Sequence, residues 1–183
     1  KEKGFSPLDF RLFVLQSHYK SEGNFTFDDL QSAKNRLNKW INVAAIRHQT
    51  HDTLTSHKDS TNDKTVSLYA SSQALVEALS NDLDTPEALK IIDDAFDRIV
   101  SAPLEDIDRH AFVGFLQTVD DLLGLQLIKS SPDIDDEIKQ LILKRERARE
   151  DKDYKSADKV RHELEKAGIL VRDTAGGSVW GYK

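Results

Sequence analysis

The sequence predicts a mainly α protein, a helical bundle followed by a small mixed α/β unit built from a helical hairpin and a β-hairpin. Three observations carry this. Apolar residues recur at spacings of three and four through most of the first 129 positions. Beyond SSPD, residues 130–133, that pattern gives way to two charge-dense helical stretches. The chain then runs through two short β-prone segments, ILVRD and SVWGY, around TAGG. The expected division is therefore a bundle at 1–129 and a second domain at 130–183.

In order, Ser6 and Pro7 suit a helix start, and Leu8, Leu12 and Leu15, with Phe13 and Val14, give a stripe running to about Tyr19. SEGNF interrupts it. Thr26 and Asp29 form a capping-box-like pair for a second helix, whose apolar face is Leu30, Ala33, Leu37, Trp40, Ile41 and Ala44. A third helix is expected over about 66–79. In NDLDTPEAL, Thr85 is the expected N-cap with Pro86 at the first helical position, and Ala88, Ile91, Ile92, Ala95, Phe96 and Ile99 follow on one face. A helix over about 105–123 presents Ile107, Phe112, Phe115, Leu116, Val119 and Leu123, and Gly124 is placed to end it.

Past the boundary, Ile138, Leu141 and Ile142 make a brief apolar seam, and the same side of that helix carries Arg145 and Arg149. A break near 151–153 precedes a second charged helix from Tyr154 to Ala167, closed by Gly168.

Composition limits the function classes. The 183 residues suffice for one large domain or two small ones, and no stretch approaches the roughly 20 apolar residues a membrane helix needs. No cysteine is present, which excludes a thiolate metal site and fits a reducing, cytoplasmic setting. No methionine is present either, so the chain reads as a fragment or a processed product. The polar stretch 48–65 reads as a loop, and its His48, His51 and His57 have no ordered frame to make a metal site. The acid pairs Asp93/Asp94, Asp120/Asp121 and Asp135/Asp136 read as solvated, because helical neighbours face different directions. No Gly-rich phosphate loop or nucleophile elbow occurs.

The net charge of −6 argues against an indiscriminate nucleic-acid binder, and no DNA partner is expected. The charge is uneven, however: residues 137–183 hold 12 Lys+Arg against 9 Asp+Glu, or +3, leaving −9 on the rest. If the two charged helices fold back on each other, Tyr154 lies near the bend with Arg149, Lys152 and Lys155 about it. Asp158, Arg161 and His162 share a face of the second helix, and the hairpin brings Trp180 against the pair with Asp173 at a strand end. Cations attract phosphates, an aromatic ring stacks a base, and a carboxylate accepts from base amino and imino groups, as a selective reader of single-stranded RNA requires.

The terminal segment KRERAREDKDYKSADKVRHELEKAGILVRDTAGGSVW resembles the C-terminal signature of bacterial-type cysteinyl-tRNA synthetases, a class I family. That family carries R-x-x-A-R-x-x-K-D-(aromatic)-x-x-A-D-x-x-R-x-x-L followed by G-I-x-x-x-D-x-x-x-G-x-x-W. The matching positions are Arg145, Ala148, Arg149, Lys152, Asp153, Tyr154, Ala157, Asp158, Arg161, Leu164, Gly168, Ile169, Asp173, Gly177 and Trp180. His18, Tyr19, Lys20, Ser21, Asn24 and Phe25, and the segment DLDTPEAL, are similar to two further family stretches.

The resemblance implies a bundle on the tRNA-stem side, following a catalytic domain, and then an anticodon-binding domain. It implies that Arg149, Tyr154, Asp158 and Asp173 contact the anticodon of cysteine tRNA, that Trp180 packs first and contacts RNA second, and that Arg145, Lys152, Lys155 and Arg161 add to the RNA-binding set. It implies a cytoplasmic, monomeric parent that joins cysteine to tRNA using ATP and zinc. The family's nucleotide-binding histidine motif, lysine signature loop and zinc cysteines are not in this sequence, so the fragment itself is expected to hold no cofactor, no metal and no aminoacylation activity. WGYK lacks the arginines that many relatives place after the Trp. The alternative reading is a non-catalytic protein-interaction module derived from a synthetase. Ligases that act on small amines share the ancestry but lack this terminal motif.

Overall fold

The computed structural model describes residues 4–50, 66, 68–174 and 177–183. Among these, eight α-helices and one antiparallel hairpin follow in the predicted order. Helix α1 spans Pro7–Leu15, and its capping box is complete: Ser6 Oγ accepts from the Asp9 N–H at 3.2 Å and Asp9 Oδ2 accepts from the Ser6 N–H at 2.7 Å. It stops short of Tyr19 because the next residues turn away to a partner. Tyr19 Oη donates to Asp82 Oδ1 at 2.7 Å, His18 Nε2 meets the Asp82 carbonyl at 3.1 Å, and Lys20 pairs with the Asp82 carboxylate. Asp82 and Leu83 are both left-handed, at φ 55 and 53, a conformation that surrounding contacts must enforce.

Helix α2, Phe27–Ala45, is capped by Thr26 as expected, and a 3-10 turn at Ile46–His48 extends it. Helices α3 (Tyr69–Ser80), α4 (Thr85–Ser101), α5 (Arg109–Leu123) and the single-turn α6 (Leu127–Ser130) complete the bundle. Boundaries differ from expectation at α3, α4 and α5, and α6 is an additional element: α3 starts at Tyr69, while Val66 instead forms a bridge with Ile107. The N-cap of α4 is Asp84, whose Oδ1 accepts from the Glu87 N–H at 3.1 Å, so Thr85 and Pro86 lie inside the helix. A carboxylate there also complements the helix dipole. Helix α5 starts at Arg109, capped by Asp108, and Leu104–Asp106 form a 3-10 turn. Gly124 ends α5 at φ 64, as predicted.

The first core holds Leu12, Leu37, Leu75, Phe96, Phe112 and Phe115 around Trp40, which meets Phe96 edge-on at 5.9 Å. Two of the acid pairs are not simply solvated. Asp93 accepts from Trp40 Nε1 at 2.7 Å and from Arg36 Nη2 at 2.6 Å, and Asp120 accepts from the N–H groups of Leu127 and Ile128 at 2.6 and 3.0 Å. In each pair one carboxylate turns inward to satisfy a buried donor and its neighbour faces water.

A second cluster of buried residues, Ile134, Ile142, Val160, Leu164, Ile169, Val171 and Trp180, lies under α7 (Asp136–Glu150), α8 (Tyr154–Lys166), β1 (Ile169–Thr174) and β2 (Gly177–Tyr182). The hairpin pairs Val171 with Trp180 and Asp173 with Ser178. Strand alternation sends Val171 and Trp180 into this cluster and Val179 into the bundle core. Arg47 ties the 128–131 segment to α2 through four acceptors: the Ala44, Ile128 and Ser131 carbonyls at 2.6, 2.9 and 2.7 Å and Ser131 Oγ at 2.6 Å. Tyr182 Oη donates to the Pro132 carbonyl. Of the three histidines in the polar stretch, His48 lies beside Trp180, with ring centres 6.3 Å apart and planes 12° from parallel, and burial lowers its pKa. His51 and His57 lie outside the described residues.

Candidate nucleic-acid interface

Helices α7 and α8 are joined by three residues. Lys152 takes φ 59 so that the Asp153 N–H reaches the Ala148 carbonyl at 2.7 Å, and Asp153 Oδ1 then caps α8 at the Ser156 N–H, 3.1 Å away. That hydrogen bonding lowers the pKa of Asp153. The tight turn sets Tyr154 at the first position of α8, and the residue is 61% exposed. Asp158 lies one turn further on the same face and is exposed. Val160 and Leu164 turn a different face of α8 into the second core, and Ala157 is buried as well.

From the facing helix, the Arg145 guanidinium grips the Asp173 carboxylate with both nitrogens. Nη1 to Oδ1 and Nη2 to Oδ2 are each 2.8 Å. Ser178, across the hairpin, donates to Oδ1 at 3.0 Å, and Arg149 Nη2 stands 3.3 Å from Oδ2. The Arg145 fork is the main reason Asp173 has its pKa lowered to about 2. Burial opposes the shift, and Ser178 and Arg149 assist it. Arg145 in turn has its pKa raised, chiefly by Asp173, and the charges of Glu146 and Asp158 add small contributions in the same direction.

The structure thus gathers Arg145, Arg149 and Asp173 in one place, and Tyr154 and Asp158 lie one turn apart on α8, the helix packed against α7. Arg149, Lys152, Tyr154, Lys155 and Asp158 are exposed. Arg145 is not a surface cation: its side chain is 4% exposed and its donors face Asp173 and Ser178. Arg161 pairs with Glu165 at 3.2 Å, farther along α8, and His162 approaches the same carboxylate at 3.8 Å. Trp180 is buried in the second core, edge-on to Tyr182 at 5.7 Å. Ser178 was not singled out from the sequence. The signal for it was the register, since a hairpin closed around TAGG sets Ser178 opposite Asp173. Among the described residues, no group of three or more His, Cys, Asp or Glu could hold a metal, and no helix is long and apolar enough to cross a membrane.

Residues 131–180 match the family described as the cysteinyl-tRNA ligase anticodon binding domain. Over 97% of its length the chain is 32% identical to a cysteine–tRNA ligase of Treponema denticola, of which it covers 39%. It is 28% identical to one from Finegoldia magna over 98% of the chain and 38% of the relative, and 32% identical to one from Bacillus cereus over 97% and 39%. The chain therefore spans about two fifths of the length of the curated relatives it matches. The helical hairpin, the Arg145–Asp173 lock and all but the last two residues of the β-hairpin fall inside the matched segment, and residues 131–180 belong to the family of cysteinyl-tRNA ligase anticodon binding domains.

Proposed function

We propose that this chain reads the anticodon of cysteine tRNA and so presents the tRNA to the catalytic part of a cysteine–tRNA ligase. The observation that carries the reading is the grouping at the end of the helical hairpin. An exposed aromatic residue with a carboxylate one turn along α8, and a second carboxylate held by two arginines of the helix packed against α8, lie in a domain of the anticodon-binding family. Tyr154 stacks an unpaired base, Asp158 and Asp173 accept from base edges, and Arg149 with Lys152 and Lys155 meets phosphates. The complete ligase would join cysteine to the tRNA 3′ end with ATP and zinc, acting as a cytoplasmic monomer. The chain's lack of cysteine leaves no thiolate for a zinc site, so that chemistry falls to residues outside these 183, which alone would not aminoacylate.

The test is a titration of the 183-residue chain with cysteine tRNA and with the same tRNA carrying a substituted anticodon, at one fixed salt concentration. Tighter binding of the unaltered tRNA is expected. Equal affinity for the two ends the reading.

A further inference from the structure

The carboxylate of Asp173 has almost no free capacity. An ionised carboxylate offers about four lone-pair directions. Oδ1 already receives Arg145 Nη1 at 2.8 Å and Ser178 Oγ at 3.0 Å, while Oδ2 receives Arg145 Nη2 at 2.8 Å and faces Arg149 Nη2 at 3.3 Å. These donors are not equivalent. Arg145 is buried and bidentate, the strong geometry for this pair. Ser178 is fixed as the cross-strand partner of Asp173 and lies 3.3 Å from Arg145 Nη1 as well. Arg149 makes the longest contact of the four, from a side chain 43% exposed, and ion pairs of that kind are weak. Among these donors from the described residues, Arg149 is the one that a donor arriving from solvent displaces most readily.

We infer that Arg145 is a positioning residue that, with Ser178, leaves Asp173 a single acceptor direction on Oδ2, and that Arg149 occupies this direction until a nucleobase N–H replaces it. The inference rests on the anticodon-reading role proposed above. Base recognition at Asp173 and release of Arg149 are then one event. The freed guanidinium becomes available to a neighbouring phosphate or base face. A base with no N–H at that place leaves Arg149 where it is, and both contacts are forfeited together. Discrimination therefore exceeds what one hydrogen bond supplies.

The experiment uses the 183-residue chain, the anticodon stem-loop of cysteine tRNA and the same loop with its anticodon bases replaced. Without RNA, carboxyl-carbon NMR follows Asp173 through acid titration. In Arg145→Met its midpoint should rise towards the ordinary carboxylate range, and in Arg149→Met it should move little; equal movement in the two variants overturns the clamp. With RNA, Arg145→Met should lose about tenfold or more of the preference for the unaltered loop, the scale of a hydrogen bond to a charged group. Affinity for the altered loop should stay within about twofold, as for a residue that touches no phosphate. Equal losses on both loops would make Arg145 an RNA contact and overturn the inference. Should Arg145→Met fail to fold, Ser178→Ala opens a second acceptor direction on Oδ1 without breaking the ion pair, and the preference should fall while affinity for the unaltered loop is kept. An unchanged preference in Ser178→Ala rejects the single-direction picture. A wild-type chain that binds both loops equally overturns the anticodon reading and the inference with it, whereas a discriminating wild type with equal losses in Arg145→Met overturns the inference alone.

Discussion

Asn42 hydrogen-bonds the backbone of Tyr182 as a neighbouring strand would: its Oδ1 accepts from the Tyr182 N–H at 2.6 Å and its Nδ2 donates to the Tyr182 carbonyl at 3.2 Å. Gln49 treats Trp180 in the same way, at 2.8 and 3.0 Å. Strand β2 pairs with β1 along one edge, and these two carboxamides cover the other. An uncovered edge would present unpaired backbone groups, a liability in any sheet this small.

The first prediction concerns this joint. Asn42→Ala removes both partners of Tyr182 and should cost about 1–3 kcal/mol, the penalty for leaving buried polar groups unsatisfied. Chemical denaturation measures the loss, and faster amide exchange at Tyr182 locates it. Gly181 gives an independent check. A Cβ there would stand 2.9 Å from Asn42 Oδ1 and 3.2 Å from its Cγ, so Gly181→Ala should dislodge the same carboxamide. The costs of the two substitutions should then combine to less than their sum in the double variant. Additive costs would mean that the Cβ at position 181 does not act through the Asn42 carboxamide.

Arg47 carries the second prediction. Its guanidinium is buried, its pKa is lowered mainly by that burial, and it satisfies carbonyls at the ends of α2 and α6. A cation at two helix C-termini is favourably placed. Arg47→Met keeps the volume but abandons these acceptors, and should cost about 2–4 kcal/mol, several hydrogen bonds at about 1 kcal/mol each. Arg47→Lys should recover only part, because one ammonium cannot reproduce the planar fork. A denaturant midpoint unchanged in Arg47→Met would refute the assignment.

These two joints mark where sequence legibility ended. Ser6, Thr26 and Gly124 are readable because a cap is a local event, decided within three or four residues. The helical faces and the alternation in β1 and β2 are readable for the same reason. Asp84 took the capping role expected of Thr85 because two good cap residues stood side by side and only backbone geometry chooses between them. Asn42 meets a residue 140 positions away, and Arg47 meets Ser131 across 84. Nothing near either distinguishes it from an ordinary polar surface residue. Arg145 was legible as sharing a face with Arg149, but its burial was not, since that depends on β1 bringing Asp173 over α7.

Acid should act on the Arg145–Asp173 pair. Asp173 has its folded-state pKa lowered to about 2, chiefly by the Arg145 fork. An unfolded aspartate titrates near 3.9. The pair's stabilisation is therefore complete above about pH 4 and is lost as pH falls through the folded value near 2. The Asp173 side chain is 38% exposed, so screening reduces the linked energy to the order of 1 kcal/mol. Asp173→Asn should weaken the dependence of stability on pH between about 4 and 2, as measured by denaturation at a series of pH values. A variant whose profile runs parallel to wild type throughout that window would rule out the pair as its source.

Tyr154 should separate binding from stability. The residue is 61% exposed at the start of α8, and the cap that holds this end belongs to Asp153. Tyr154→Ala should therefore shift folding free energy by no more than about 0.5 kcal/mol, as surface substitutions do. If a base of the anticodon loop stacks on the ring, the same change should weaken binding of cysteine tRNA by about 1–3 kcal/mol, or roughly 5- to 150-fold. Tyr154→Trp should restore it, because stacking needs an aromatic face and not the hydroxyl. Paired denaturation and tRNA titrations of both variants check this. An undiminished affinity in Tyr154→Ala would show that the exposed ring is not used for stacking, and the RNA contacts would then have to be carried by the carboxylates and the cations Arg149, Lys152 and Lys155.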